Sequence, residues 1–468
     1  MRPSHFLIAL GIVLFVTLAG IGYYGYVKLQ IDDEPLDYSS LDVELGPRDS
    51  EINGYSKLRA VTDGMQWDFG RHDEEGLAMS PFYPEAHPLT TDELRAIINA
   101  HSGNIAQIED ALAMEVFQFD QDATPNTLVP EIGQFQAFAR NQVFHARLLA
   151  REGEPDAALA RLITLSQQIQ RFADSQGGLI IILTALAAAD MCNDEIDYLV
   201  AHYPLSADAL RQALVGYALR GAMEQNLATC IKLEFQFCVY CIDHLGELAE
   251  EEGSDSTFPW LKKNKPNPFV FKPNRTKNEL YTNYADAIEQ LALPANQRHF
   301  DWADKIEREH NKGFLQMLVS GNAVGTLLQA ILVPAYAKVF EKAALGDFHS
   351  EATYLMLALR LYKLEHDALP STLEALAPDY IEAAPRDPYD WQPLRYNAER
   401  AILYSIGMDN EDMGGSESIS RLDYTEPDFE LEFNDDYIAE QDKYEPTFHI
   451  RFDLEPRDFS ADEEEQQP

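Results

Sequence analysis

Cys230, Cys238, Cys241 and His244 crowd the stretch "CIKLEFQFCVYCIDH". Thiolates and imidazoles are the ligands zinc prefers. On a helix all four fall within about 120° of one face. Cys230 and His244 would nevertheless lie about 21 Å apart along a straight axis, too far to share one ion. Cys238-x-x-Cys241 has thioredoxin-type spacing, but that redox site needs a strand before the motif, and the surroundings read as helix. Two readings remain: core cysteines on a buried face, or a disulfide drawn from Cys192, Cys230, Cys238 and Cys241. Glu307-x-x-His310 is half of a carboxylate di-iron motif, and a bundle site needs two such halves. His310 therefore reads as a surface residue, and His72-Asp73-Glu74-Glu75 as a charged loop. A hydrolase pocket in the helical region would gather Glu, His or Arg from residues 131–345, such as Glu131, Arg140 and His145. The chain has no H-E-x-x-H, no G-x-S-x-G, no phosphate-binding glycine loop and no dinucleotide fingerprint.

The elements that would carry such residues follow from composition and pattern. A hydrophobic fraction of 46% suits a packed chain, and 468 residues can bury a large core. The formal charge of −42 argues against nucleic acid and against anionic lipid headgroups, because both need clustered Lys and Arg. Residues 6–27 carry no charge and are long enough to span a bilayer as a helix. Arg2 precedes them and Asp32, Asp33 and Glu34 follow, which predicts a single-pass anchor with the bulk of the chain outside the cytoplasm. In a bacterium that is the inner membrane and the periplasm. A second uncharged stretch, residues 313–337, contains Gln316, Ser320, Asn322, Thr326 and Gln329. It reads as a buried helix pair broken near Ser320–Asn322, with Asn322 as a cap.

Residues 1–30 thus form the anchor, and 31–90 read as an acidic stalk with short packed pieces. A helical domain is predicted over 91–345. Thr90 or Thr91 caps its first helix, with Glu93 in the first turn. "FHARLLAREGEPDAALARLITL" predicts two helices. Gly153 is their left-handed break and Pro155 the first turn of the second, with Ala146, Leu149, Ala157, Ala158 and Leu162 on facing stripes. This hairpin resembles one tetratricopeptide unit, without the 34-residue repeat of an array. "GGLIIILTALAAADMC" is apolar all round and predicts a central buried helix.

Residues 346–433 read as a small α+β unit and 434–468 as an acidic tail. A helix with Leu355, Leu359 and Tyr362 on its core face ends at "DALP", and a short helix follows Pro370. In "PRDPYD" Pro385 and Pro388 fix φ, while Asp387 and Asp390 accept from nearby backbone N–H groups. "PLRYN" and "AILYSI" alternate and predict a hairpin, with "EPDFELEF" (426–433) as a third strand.

The ordered set "ALRLYKLEHDALP", "LEAL", "PRDPYD", "LRY" and "LYSIGMDNED" resembles the globular part of the major, G-type pseudopilin of type II secretion systems. The likeness covers about a seventh of the chain. It implies an α+β module and calcium in the acidic loop. Asp409 and Asp412 would supply carboxylates, Ile406 or Met408 carbonyls, and Asp423 or Asp428 would close the sphere, as a hard cation wanting six to eight oxygens requires. Two family residues differ. Tyr389 replaces the tryptophan of the D-P-W turn, and Asn410 replaces a glycine, although asparagine tolerates the left-handed conformation. Pilin processing also needs Gly before Phe and a Glu five residues into the mature chain. Here His5 precedes Phe6 and Leu10 stands at the glutamate position, so this chain cannot be processed as a filament subunit.

The sequence therefore predicts a mainly α protein, built of helical hairpins with one tetratricopeptide-like unit. It ends in a small C-terminal α+β module and begins with a transmembrane helix. The functional expectation is an extracytoplasmic scaffold or interaction protein of the envelope, with protein partners there and no nucleic acid. The resemblance implies an association with a secretion or pilus-like system. The alternative is an envelope hydrolase.

Overall fold

The computed structural model describes residues 17–23, 33–69, 89–122, 124, 129–247, 271–310, 321–332, 336–415 and 446–454. The described chain is mainly helical with one small antiparallel sheet. Residues 17–23, inside the predicted anchor, are helical, and Leu18, Ile21 and Tyr23 are exposed. The rest of 6–27 lies outside the described residues. Among the described residues no helix is long and apolar enough to cross a membrane.

The segment expected as a stalk is instead part of the core over 33–69. Helix α1 (Gly54–Thr62) buries Tyr55 and Leu58 completely. Its first residue must be glycine, since a Cβ there would sit 2.2 Å from the Ala111 carbonyl oxygen. Asn53 caps α1 by accepting from Tyr55 N and donates to the Pro47 and Gln118 carbonyls. Upstream, Arg275 N donates to Asp33 Oδ1 at 2.7 Å and Leu36 N to Asn278 Oδ1 at 3.0 Å. Composition alone does not reveal this packing, because the stretch bonds to partners about 60 to more than 200 positions away, such as Arg59 to Asp120 and Asp33 to Arg275.

Helix α2 (Thr91–Leu112) opens with the complete Thr90–Glu93 capping box. Helices α3 (Pro130–Arg151) and α4 (Pro155–Ala173) form the predicted hairpin, turning at Gly153 with φ +87°. Ala146, Ala158 and Leu162 are buried as expected, whereas Ala157 faces solvent. Phe135 stacks on Phe172 at 3.9 Å. Helix α5 (Leu179–His202) is the predicted central helix and packs against α3, α4, α7 and α11. Its open N-terminus is satisfied from another helix, with Leu179 N donating to Glu234 Oε1 at 2.8 Å. Helices α6 (Ala207–Gly216), α7 (Glu224–Asp243), α8 (Pro273–Gln290) and α9 (Asp301–His310) follow. Helix α10 (Ala323–Leu332) begins after Asn322. The Asn322 side chain accepts from Lys272 N, at the head of α8.

Helix α11 (Tyr336–His366) runs unbroken across position 345, so the helical domain and the C-terminal module share one helix. Asp387 and Asp390 make the predicted turn bonds to Tyr389 N and Gln392 N. The predicted hairpin is β1 (Arg395–Asn397) paired with β2 (Ile402–Tyr404). The third strand is β3 (Thr447–His449), from the segment expected as tail, and Leu403 pairs with Phe448. Residues 426–433 lie outside the described residues. Beyond β3, Leu454 N donates to the Ala201 carbonyl of α5 at 3.0 Å. Arg360 and Lys363 bond to Asp453 and lie over the Phe452 ring. The basic residues of "LRLYK" thus fasten the segment that follows β3.

Candidate functional site

Helix α5 carries Asp190, Asp194 and Asp197, spaced four and three residues apart, so the three carboxylates share one stripe. Helix α11 brings Gly346, His349, Ser350 and Thr353 against that stripe. The approach is close: a Cβ on Gly346 would lie 2.6 Å from a Leu186 methyl. Asn193 Nδ2 donates to Ser350 Oγ at 3.1 Å, and Tyr217 OH donates to Asn193 Oδ1 at 2.6 Å, which locks the seam beside the carboxylates.

The His349 ring lies between the acids. Its Nδ1 is 3.7 Å from Asp190 Oδ1, and its Nε2 is 3.2 Å from Asp197 Oδ2 and 3.7 Å from Asp194 Oδ1. Thr353 Oγ1 donates to Asp197 Oδ2 at 2.9 Å. Asp197 is fully buried, while Asp190 and Asp194 keep about a fifth of their side chains open to solvent. Asp197 Oδ1 has no hydrogen-bond partner. Burial alone would lower the His349 pKa. The carboxylates of Asp190, Asp197 and Asp194 outweigh it and push the ring up to about 10. Burial raises Asp197, against the bonds from His349 and Thr353. Among the described residues no group of three or more His, Cys, Asp or Glu side chains is placed to hold a metal ion.

The predicted calcium loop is differently made. Asp409 Oδ1 accepts from Glu411 N at 3.1 Å and Asp412 Oδ1 from Gly414 N at 3.0 Å. Both carboxylates are exposed, and Asp412 Oδ2 faces Arg395 Nε at 3.5 Å. Asn410 takes the expected left-handed conformation at φ +60°. Asp423 and Asp428 lie outside the described residues. The described loop thus offers a hard cation three carboxylates, those of Asp409, Glu411 and Asp412, the last of them beside a guanidinium, and that is short of a full sphere.

Beneath this loop Asp387 is completely buried. It accepts from Tyr389 N at 2.9 Å, Ser405 Oγ at 2.7 Å, Ile406 N at 3.0 Å and Arg395 Nη1 at 2.8 Å. The D-P turn and the "YSIG" segment therefore meet on one carboxylate. Burial raises its pKa, opposed by the bonds it accepts.

The remaining candidates do not converge. Glu131 is buried, bonded to Tyr55 OH at 2.9 Å and Gln121 Nε2 at 3.0 Å. Arg140 lies over the Phe69 ring at 5.3 Å. His145 is half-buried in a depression with Glu109, Gln142 and Arg161, about 21 Å along α3 from Glu131. All four cysteines are free and buried, which favours core packing over a disulfide. Burial pushes the thiols up, Cys238 to about 12 and Cys241 to about 11, so they are poor nucleophiles. The side chains of Glu307 and His310, and all of residues 72–75, lie outside the described residues.

The seam cluster has a sequence signal that went unused. Aspartates at i, i+4 and i+7 inside a largely apolar helix share a face, and each needs a partner once that helix is central. No family model, curated protein or solved structure matches the chain.

Proposed function

We propose that the chain is a membrane-anchored extracytoplasmic scaffold or interaction protein, held in the inner membrane by residues 6–27 and working beside a secretion or pilus-like system. One observation carries this reading. Several of the residues that carry the resemblance of the C-terminal unit to a pseudopilin are engaged inside the molecule. Asp387 gathers the turn, Arg395 and the Ser405–Ile406 segment. Lys363 and Arg360 hold Asp453. Helix α11 is common to the unit and the helical body. The unit is thus built in as one surface of a larger body and is not free to stack as a filament subunit. The exposed apolar side chains of Leu18, Ile21 and Tyr23 suit the proposed anchor. Calcium in the 407–415 loop belongs to the same reading.

The hydrolase alternative calls for a polar pocket with clustered Glu, His or Arg among residues 131–345, and the separate engagements of Glu131, Arg140 and His145, its named examples, give it no support. Cross-linking the full chain in intact cells, followed by detergent extraction and identification of adducts, tests the proposal. The chain should pellet with membranes through high salt and carry envelope proteins in its adducts. Release by salt, or adducts no different from those of an unrelated anchored protein, would remove the proposal.

A further inference from the structure

We infer that Arg161, His145 and Gln142 form a binding site for the carboxylate of a small organic acid with an apolar body. The inference is independent of the scaffold reading. The site is the depression of about 340 Å³ between α2, α3 and α4. Gln142, His145 and Leu149 lie on one side of α3, at i, i+3 and i+7, and Ala157, Ala160 and Arg161 line the depression from α4. The two alanines are exposed, and their short side chains leave the room that a ligand would fill.

The donors here lack a carboxylate of their own. Acidic residues outnumber lysines and arginines 78 to 36, and Arg147, Arg220, Arg298 and Arg360 each hold a carboxylate at 2.5–2.8 Å. Arg161 is half-buried and bonds to the Gln142 amide oxygen, with no ion pair among the described residues. His145 is half-buried in the same depression and has no hydrogen-bond partner among the described residues. Burial and the charge of Arg161 hold its pKa below the ordinary value, against Glu152. Gln142 is 2% exposed, and with its oxygen taken by Arg161 its Nε2 has no partner. Buried polar atoms are generally paired, so this orphan donor is a second sign of a ligand, separate from the bare cation. A carboxylate seated against Arg161 gives one acceptor group to the guanidinium, the imidazole N–H and the amide together. Arg161 is the one fixed positive charge among the described residues of the wall, and the Glu109 carboxylate lines it too. A monoanion therefore suits the depression better than a phosphate dianion. Leu149, Ala157 and Ala160 take the apolar body.

The test uses the full chain in detergent. Butanoate, hexanoate and benzoate are titrated separately by calorimetry, with inorganic phosphate as the contrast. One saturable site per chain is expected for at least one acid, with a dissociation constant of about 1 mM. Arg161→Gln should weaken binding about tenfold or more, and Arg161→Lys by less, because lysine keeps the charge and loses the fork. Arg211→Gln, at an exposed arginine on α6, should leave it unchanged. Binding should be severalfold tighter at about pH 6 than at about pH 8, because the bound anion favours a protonated His145. Arg161, Glu109 and Glu152 are the other charges that face that ring. His145→Gln keeps a donor and should abolish the pH difference. Should the Arg161 variants fail to fold, the imidazole resonance of His145 in the parent chain decides: saturating acid raises its titration midpoint if the site is there, and an unmoved midpoint overturns it. Phosphate binding in preference to the acids overturns the assignment, as does the absence of saturable acid binding, or a well-folded Arg161→Gln that binds like the parent.

Discussion

The seam between α5 and α11 and the loop at 407–415 are both acidic, and they are built in opposite ways. In the loop the Asp409 and Asp412 carboxylates each bond to backbone two residues onward, within a turn that glycines and Asn410 make possible. In the seam the carboxylates come from one helix and their imidazole from another more than 150 positions away, and the longest polar contact is 3.7 Å. A loop of the first kind holds its shape with its charges in water. A seam of the second kind has little solvent to screen it, so each member depends on the others. The difference predicts that substitutions in buried clusters unfold the protein while substitutions in the loop hardly register.

The largest effect is expected just beneath the loop. Asp387→Ala leaves Arg395 Nη1, Ser405 Oγ and two backbone N–H groups without their acceptor in a buried place, and should cost about 3–5 kcal/mol. Urea unfolding measures it. A loss below 1 kcal/mol would mean that the D-P turn does not hold the module and that its likeness to the pseudopilin turn is only local. Next comes the seam. His349→Leu leaves Asp190, Asp194 and Asp197 facing one another across a nearly dry helix contact, with an expected cost of about 3 kcal/mol in metal-free buffer. An unchanged midpoint would show the seam to be as open to water as the loop, and the comparison would fail.

Glu131 sharpens the contrast, because it is a buried carboxylate with no imidazole beside it. Burial raises its pKa, and Tyr55 OH and Gln121 Nε2 share one of its oxygens while Oε2 has no partner. Below the ordinary glutamate range the carboxyl is protonated in folded and unfolded chains alike. Between that range and the raised folded value only the folded chain keeps the proton, so stability falls as pH rises through this window and levels off above it. Glu131→Gln should remove that slope and stabilise by about 1 kcal/mol on its alkaline side. Thermal unfolding of both proteins at a series of pH values reads it. A slope that survives in the variant would assign the proton to another group.

What the sequence disclosed divides along the same line as the two clusters. The Thr90–Glu93 box, the Gly153–Pro155 turn, the Asp387 and Asp390 turns and the 395–404 hairpin were legible because each is decided within a few residues. The packing of 33–69, the strand at Thr447–His449 and the seam were not, since each depends on partners far along the chain. Asp33 looks like stalk until Arg275 is beside it. Phe448 looks like tail until it pairs with Leu403. The apolar reading of α5 ended at Cys192, one turn short of the spacing that would have exposed Asp190, Asp194 and Asp197 as one face.

The smallest expected effect belongs to the loop itself. In chelator, Asp409→Asn with Asp412→Asn should move stability by no more than about 0.5 kcal/mol, because both side chains are exposed and asparagine keeps the oxygen that accepts from Glu411 N and Gly414 N. The facing Arg395 loses a neighbour half open to water, and Arg395 keeps Asp387 and Asp390. Calcium should then separate the two proteins by mass action. Free calcium equal to the dissociation constant adds only about 0.4 kcal/mol to the parent, and a tenfold excess about 1.4 kcal/mol. The double variant should gain nothing, and magnesium should act on neither, since it demands a rigid octahedral sphere and gives up its water reluctantly. Melting curves across a calcium series decide between two kinds of loop. A rise confined to the parent and to calcium makes the loop a metal site whose remaining oxygens come from outside the described residues. Equal curves for the two ions, or for the two proteins, make it a solvated turn held by its own backbone bonds.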